Sequence, residues 1–174
     1  DVHTNKDAVL YFWREVYPIL RERKPEVLVS FVGTAPPEEI VEAARNNPRV
    51  RATGFVDDIR PHVDEAAVVI VPIRIGSGTR LKILDAMAMG KAIVSTSVGC
   101  EGLDVTDGKN IAIADTPDDF VARIEILLNN EQARQSIADN AVKLAESYDW
   151  RVINETQKQA YHMALESCNS QTSA

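Results

Sequence analysis

Cysteine, basic charge and unbroken apolar sequence are all scarce in this chain. Only Cys100 and Cys168 occur among 174 residues. They lie far apart and match no metal or redox spacing, so both are predicted to be reduced thiols, as suits a cytoplasmic protein. No run reaches about eighteen apolar residues, and no basic-then-apolar leader opens the chain, so neither a membrane span nor a secretory signal is predicted. Nineteen Lys and Arg stand against 26 Asp and Glu, for a net charge of -7 and a pI near 5.0. That balance argues against general nucleic-acid binding, which needs a basic face to displace counterions. Internal repeats and low-complexity linkers are also missing. The chain opens on Asp1 and not on Met, from which residues upstream are expected in a longer protein.

What is present is enough apolar sequence, 45% of the residues, for one compact domain. The expected boundaries are a single domain over 1–166 and a polar, frayed tail, "SCNSQTSA", over 167–174. Strands are predicted over 26–33, 50–56, 66–73, 92–99 and 110–115. Several are continuously apolar and β-branched, as in strands covered on both faces. Helices are predicted over 6–23, 37–46, 79–89, 117–129, 131–147 and 150–166. The alternation implies α/β architecture, a doubly wound parallel sheet flanked by helices. Pro36-Pro37 before Glu38 and Glu39, Gly90 after the helix from Thr79, and Thr116-Pro117 all sit where helices start or stop.

In such a sheet, ligands bind beyond the carboxyl ends of strands. Of four strand-to-helix turns, after Gly33, after Val56, at Gly76 to Thr79 and after Gly99, the third carries most chemistry: "VPIRIGSGTRLKILDAMAMG". Gly76 and Gly78 permit positive φ and close approach of a ligand. Thr79 is the expected N-cap, with free amides behind it at the positive end of the helix dipole. Arg80 and Lys82 carry the wrong sign for that dipole, which a bound phosphate would offset. Asp85 lies about 9 Å further along the helix, roughly the distance from a diphosphate to the ribose hydroxyls of a nucleotide. The alternative is an exposed turn, a solvated helix start and a solvated acid. Neither a Walker A loop nor a dinucleotide fingerprint fits, because "GSGTRLK" has the wrong spacing and Leu81 stands where a third glycine would be needed.

The string "GFVDDIRPHVDEAAVVIVPIRIGSGTRLKILDAMAMGKAIVSTSVGCEGL" (54–103), followed by "LLNNEQARQSIADNAVKLAESYDW" (127–150), resembles the retaining glycosyltransferases of the large group 1 class, family four. The resemblance is to their C-terminal, nucleotide-sugar-binding domain. It implies one Rossmann-like half of the two-domain GT-B fold, with its first strand lying ahead of residue 1 and an acceptor-binding N-terminal domain on the same chain. It further implies that Gly76, Ser77, Gly78 and Thr79 meet the donor diphosphate and that Asp85 meets the ribose. Gly54, Phe55 and Val56 would border the nucleobase, and "SVGCEG" (97–102) would lie near the cleft. Arg80 and Lys82 are the candidates for stabilising the leaving diphosphate, a task that needs no covalent step. The family often carries two glutamates here, whereas this chain has Ser77 and Asp85.

The expected function is therefore transfer of a sugar, with retention, from a nucleotide-diphosphate sugar carrying UDP or GDP, in bacterial glycan or polysaccharide synthesis. No cofactor and no metal are expected. The expected location is cytoplasmic, with the full-length enzyme peripheral to the inner face of the membrane as a further option. A non-catalytic nucleotide-binding module of the same fold is the alternative, and a nucleotide-sugar epimerase a distant third. His3, His62 and His162 read as surface or structural residues. The last helix, with Trp150, Val152, Ile153, Tyr161 and Leu165, is read as core packing, which the resemblance extends to a crossing onto the other domain. In an isolated half, that surface would favour self-association.

Overall fold

The computed structural model describes residues 2–76 and 80–171, with side chains over 3–76, 80–155 and 157–163. The polypeptide begins with α1 (Val2–Tyr11), a π-helical turn (Phe12–Val16) and α2 (Tyr17–Arg23). It continues through β1 (Val29–Phe31), α3 (Glu38–Asn46), β2 (Val50–Ala52), α4 (Arg60–Glu65), β3 (Val68–Val71) and α5 (Leu81–Ala88). It ends with β4 (Ala92–Ser95), β5 (Ala112–Ile113), α6 (Pro117–Asn129), α7 (Glu131–Ser147) and α8 (Trp150–Gln171). The α/β alternation is as expected. The strands are shorter than the apolar runs, because their flanks serve as turns.

All strand pairs are parallel, in two groups: β1 with β2, and β3–β4–β5 in that order. Central β4 is buried at all four positions, whereas three of the four residues of β3 are only half-buried. A strand hydrogen-bonded on both sides and covered on both faces must be apolar throughout, which "AIVS" is in all but its last residue. No pairing joins β1 to β3, yet Val29 and Val50 share one apolar cluster with Ala92, Val94 and Ala112. That cluster is closed by Tyr11, Phe12, Val16, Tyr17 and Leu20 from the first helical segments and by Phe120, Val121, Ile124 and Leu127 from α6. A second cluster, Val71, Ile83, Ala86, Met87, Ile93, Cys100, Ile111 and Ala141, lies under α5 and α7. Helices thus cover both faces of the larger sheet group, as a doubly wound fold requires.

Capping matches the composition at several ends. Thr116 accepts from the Asp119 amide at 3.2 Å, and Asn130 from the Ala133 amide at 2.9 Å, each satisfying a free donor of a first turn. After α5, Gly90 has φ of +66°, and the Lys91 amide donates to Ala86 O at 3.0 Å. This is a Schellman closure, which needs a residue tolerant of the left-handed region. The first helix is interrupted by the π turn, and α8 runs to Gln171, five residues into the stretch expected to be a frayed tail. Trp150 is 75% exposed, and Val152, Ile153 and Tyr161 are also exposed, which corrects their reading as core packing.

Asp149 precedes α8 and accepts from the Arg151 amide at 2.8 Å and from its guanidinium at 3.0 and 2.9 Å. The side-chain contact with Arg151, then its amide, lowers the carboxyl pKa to about 2. A depressed acid pKa stabilises above the unfolded value of 3.8 and loses that effect as pH falls toward 2. The start of α8 is therefore expected to loosen over this window, read as a change in Trp150 fluorescence that Asp149→Asn shows at neutral pH.

Candidate functional site

The loops after β3, β4 and β5 meet at one end of the sheet. Thr96, just beyond β4, donates through its hydroxyl to Ile73 O beyond β3. Asp115, just beyond β5, accepts from the Ser97 amide at 2.7 Å and its hydroxyl at 2.9 Å. The three turns are thus tied together by short polar side chains.

Gly76 has φ of +116°, the conformation its lack of a Cβ permits. The space a Cβ would occupy is taken by α1: an atom placed there would lie 2.9 Å from both Thr4 Cγ2 and Thr4 Oγ1. Close approach at this glycine is thus made by the protein's own helix. Ser77, Gly78 and Thr79 lie outside the described residues. The N-cap of α5 is Arg80, not Thr79, and no side chain caps it.

Arg80 has an unusual environment for a cation. Its side chain is only 8% exposed, its Nη2 donates to Gly76 O at 3.4 Å and faces Glu101 at 3.5 Å, and its Nε is buried without a partner. Both contacts are at the long limit of a hydrogen bond. A buried guanidinium so weakly satisfied is a place to receive further acceptors. Lys82 donates to Asn5 Oδ1 at 2.6 Å, and desolvation lowers the pKa of its ammonium. Its residue surface is largely exposed although its charged end is crowded. Asp85, three residues on, is exposed on the same side of α5, opposite the buried Ile83, Ala86 and Met87.

The Gly54 to Val56 turn follows β2, in the other strand group. Gly54 lines an open depression of about 380 Å³ with Pro36, Val41, Ala44, Arg45, Ala52 and Thr53. Phe55 is 73% exposed. Among the described residues no hydrogen bond or ion pair joins this turn to the Gly76 loop. Sequence reading passed over Arg74, whose guanidinium is paired with Asp7 and Glu15. Asp7, Tyr11 and Glu15 recur at a spacing of four, and no local signal connects them to residue 74. Arg14 and His62 carry no part of this site; Arg14 pairs with Glu39 on the surface.

The family described as "Glycosyl transferases group 1" matches residues 1–130. The chain belongs to this family. A Klebsiella pneumoniae protein described as an uncharacterized 44.6 kDa protein in the cps region is 27% identical over 153 residues, 83% of this chain and 39% of its own length. The chain thus spans about two fifths of that relative's length. The C-terminal domain of a group 1 glycosyl transferase (LpcC) from Francisella tularensis aligns with TM-score 0.67 and 19% identity, over 80% of this chain and 78% of that one. Anabaena HepE, solved in complex with UDP and glucose, aligns with TM-score 0.68 and 24% identity, over 86% of this chain and 43% of that one. These likenesses establish the GT-B glycosyltransferase fold, as expected from the sequence. Among the described residues of this group 1 chain, no helix is long and apolar enough to cross a membrane.

Proposed function

We propose that this chain is the donor-binding domain of a retaining glycosyltransferase that takes its sugar from a nucleotide-diphosphate sugar, for bacterial glycan synthesis in the cytoplasm. The observation that carries the reading is Arg80, a nearly buried guanidinium with a partnerless Nε at the start of α5, beside Gly76. A buried charge left so poorly paired costs stability, and a ligand with several anionic oxygens removes that cost. The diphosphate of the donor has them. The UDP and glucose of the HepE complex support the nucleotide class.

In this reading the loop amides, Arg80 and Lys82 stabilise charge developing on the departing diphosphate, without protein covalent chemistry. Asp85 accepts from the ribose, and the Gly54 to Val56 turn borders the base. No metal is assigned a role. An acceptor-binding domain of the longer protein faces this one across the cleft. The exposed apolar side of α8 packs on that second domain, and in its absence favours self-association. The donor-binding domain is taken as 1–166, with α8, which continues to Gln171, as the crossing element.

Calorimetric titration with UDP, GDP and ADP tests the reading. One nucleotide is expected to bind, and Asp85→Ala to weaken it about tenfold, the loss of a hydrogen-bonded carboxylate. Absence of binding by all three would overturn it. Donor binding without transfer by the longer protein would favour the non-catalytic module, to which Ser77 and Asp85 in place of glutamates point.

A further inference from the structure

Helix α1 holds both ends of the Gly76 loop. Thr4 packs on Gly76, Asn5 accepts from Lys82, and Asp7 takes Arg74 through two contacts, Nε to Oδ2 at 3.3 Å and Nη2 to Oδ1 at 3.0 Å. Glu15 accepts from Arg74 Nη1 at 3.3 Å, and the guanidinium lies 4.2 Å from the centre of the Tyr11 ring. All three guanidinium nitrogens of Arg74 are thus committed, two carboxylates neutralise it, and the aromatic face covers it. Arg74 sits two residues before Gly76, and its charge is balanced by two carboxylates before any ligand arrives.

Lys82 is treated differently. Its partner is an amide oxygen, which directs the ammonium without cancelling its charge. One helix therefore neutralises the cation before the loop and leaves charged the cation after it. Such a division has a physical use where an anion must be met by Lys82 while the loop entrance is held still, since preorganised donors avoid reorganisation when the ligand arrives.

We propose that Asn5 and Asp7 are positioning residues of the diphosphate site: Asp7 anchors the loop entrance through Arg74, and Asn5 aims Lys82 at the diphosphate. This rests on the reading of Arg80 and Lys82, beside Gly76, as a diphosphate site. The test is calorimetry with inorganic pyrophosphate, UDP and uridine on the wild-type chain, Asn5→Ala, Asp7→Ala, Asp7→Glu, Lys82→Met and the Asn5→Ala, Lys82→Met pair. Asn5→Ala is expected to weaken pyrophosphate and UDP about three- to tenfold while leaving uridine unchanged, the size of one lost hydrogen bond to a charged group. In the Lys82→Met background it has no further effect, because its only route to the ligand is gone. Asp7→Ala weakens both anions similarly, and Asp7→Glu, which keeps the carboxylate, recovers most of the loss.

Asn5 is exposed, so its variant keeps the wild-type melting temperature and the comparison stands even where Asp7→Ala unfolds. If Lys82→Met weakens pyrophosphate while Asn5→Ala binds it like wild type, the positioning role is overturned and the site reading survives. If neither pyrophosphate nor UDP binds the wild-type chain, or Lys82→Met and Arg80→Met bind them undiminished, the site reading fails and the positioning role with it.

Discussion

Phe120→Ala is expected to lower the unfolding free energy by about 3 to 5 kcal/mol, measured as a shift in the urea midpoint with little change in slope. Phe120 stands in the first turn of α6 with none of its surface exposed, in the cluster that joins Tyr11, Phe12 and Val16 to Val94 and Ala112. Removing the ring loses its transfer free energy and leaves a cavity between an early helix and the sheet. The surrounding side chains come from several elements and cannot collapse together to fill it. Against a typical stability of about 5 to 15 kcal/mol, this is a large fraction. A loss under about 1 kcal/mol would mean that the sheet and α6 are not packed as described.

Arg80→Met is expected to act oppositely on stability and binding. The substitution replaces a guanidinium that is 8% exposed and partnered only at 3.4 and 3.5 Å with an apolar chain of comparable length. Buried charges with poor partners can be exchanged for apolar residues without loss, and sometimes with gain. The unliganded variant should therefore melt at or above the wild-type temperature. Its affinity for UDP should fall about ten- to hundredfold, as hydrogen bonds from a charged group to the diphosphate contribute about 1.5 to 3 kcal/mol. Thermal scans with and without UDP separate the two effects, because ligand stabilisation follows affinity. A variant that melts well below wild type but retains UDP affinity would make Arg80 a structural residue and remove the basis of the proposed site.

Much of the architecture was legible because its signals are local. The apolar run of β4, the Thr116 cap and the Gly90 closure each depend on residues within a few positions. The same locality explains the misplacements. Thr79 looked like a cap because threonine accepts well from first-turn amides, but the helix starts at Leu81, with Arg80 as its uncapped N-cap. Trp150, Val152 and Ile153 looked like core from their apolarity, and α8 leaves them exposed. The polar residues after 166 looked like a tail, yet the backbone hydrogen bonds of α8 carry it to Gln171.

The sequence by itself determined the α/β class, the glycine turn with its following cations, and membership of a family whose motifs lie within one contiguous string. The class and the turn are properties of periodicity and spacing and the membership one of likeness to a family's motif string, all of which the chain carries before it folds. Tertiary structure alone decided what each cation is for. Arg74, Arg80 and Lys82 look alike in "RIGSGTRLK", but Arg74 is neutralised by carboxylates 67 and 59 positions away, Lys82 is directed by an amide 77 positions away, and Arg80 is buried with its Nε unpaired. The charge available to a ligand depends on which side chains folding brings within about 3 Å and on how much water is excluded around them. Neither quantity exists until α1 is laid against the end of the sheet.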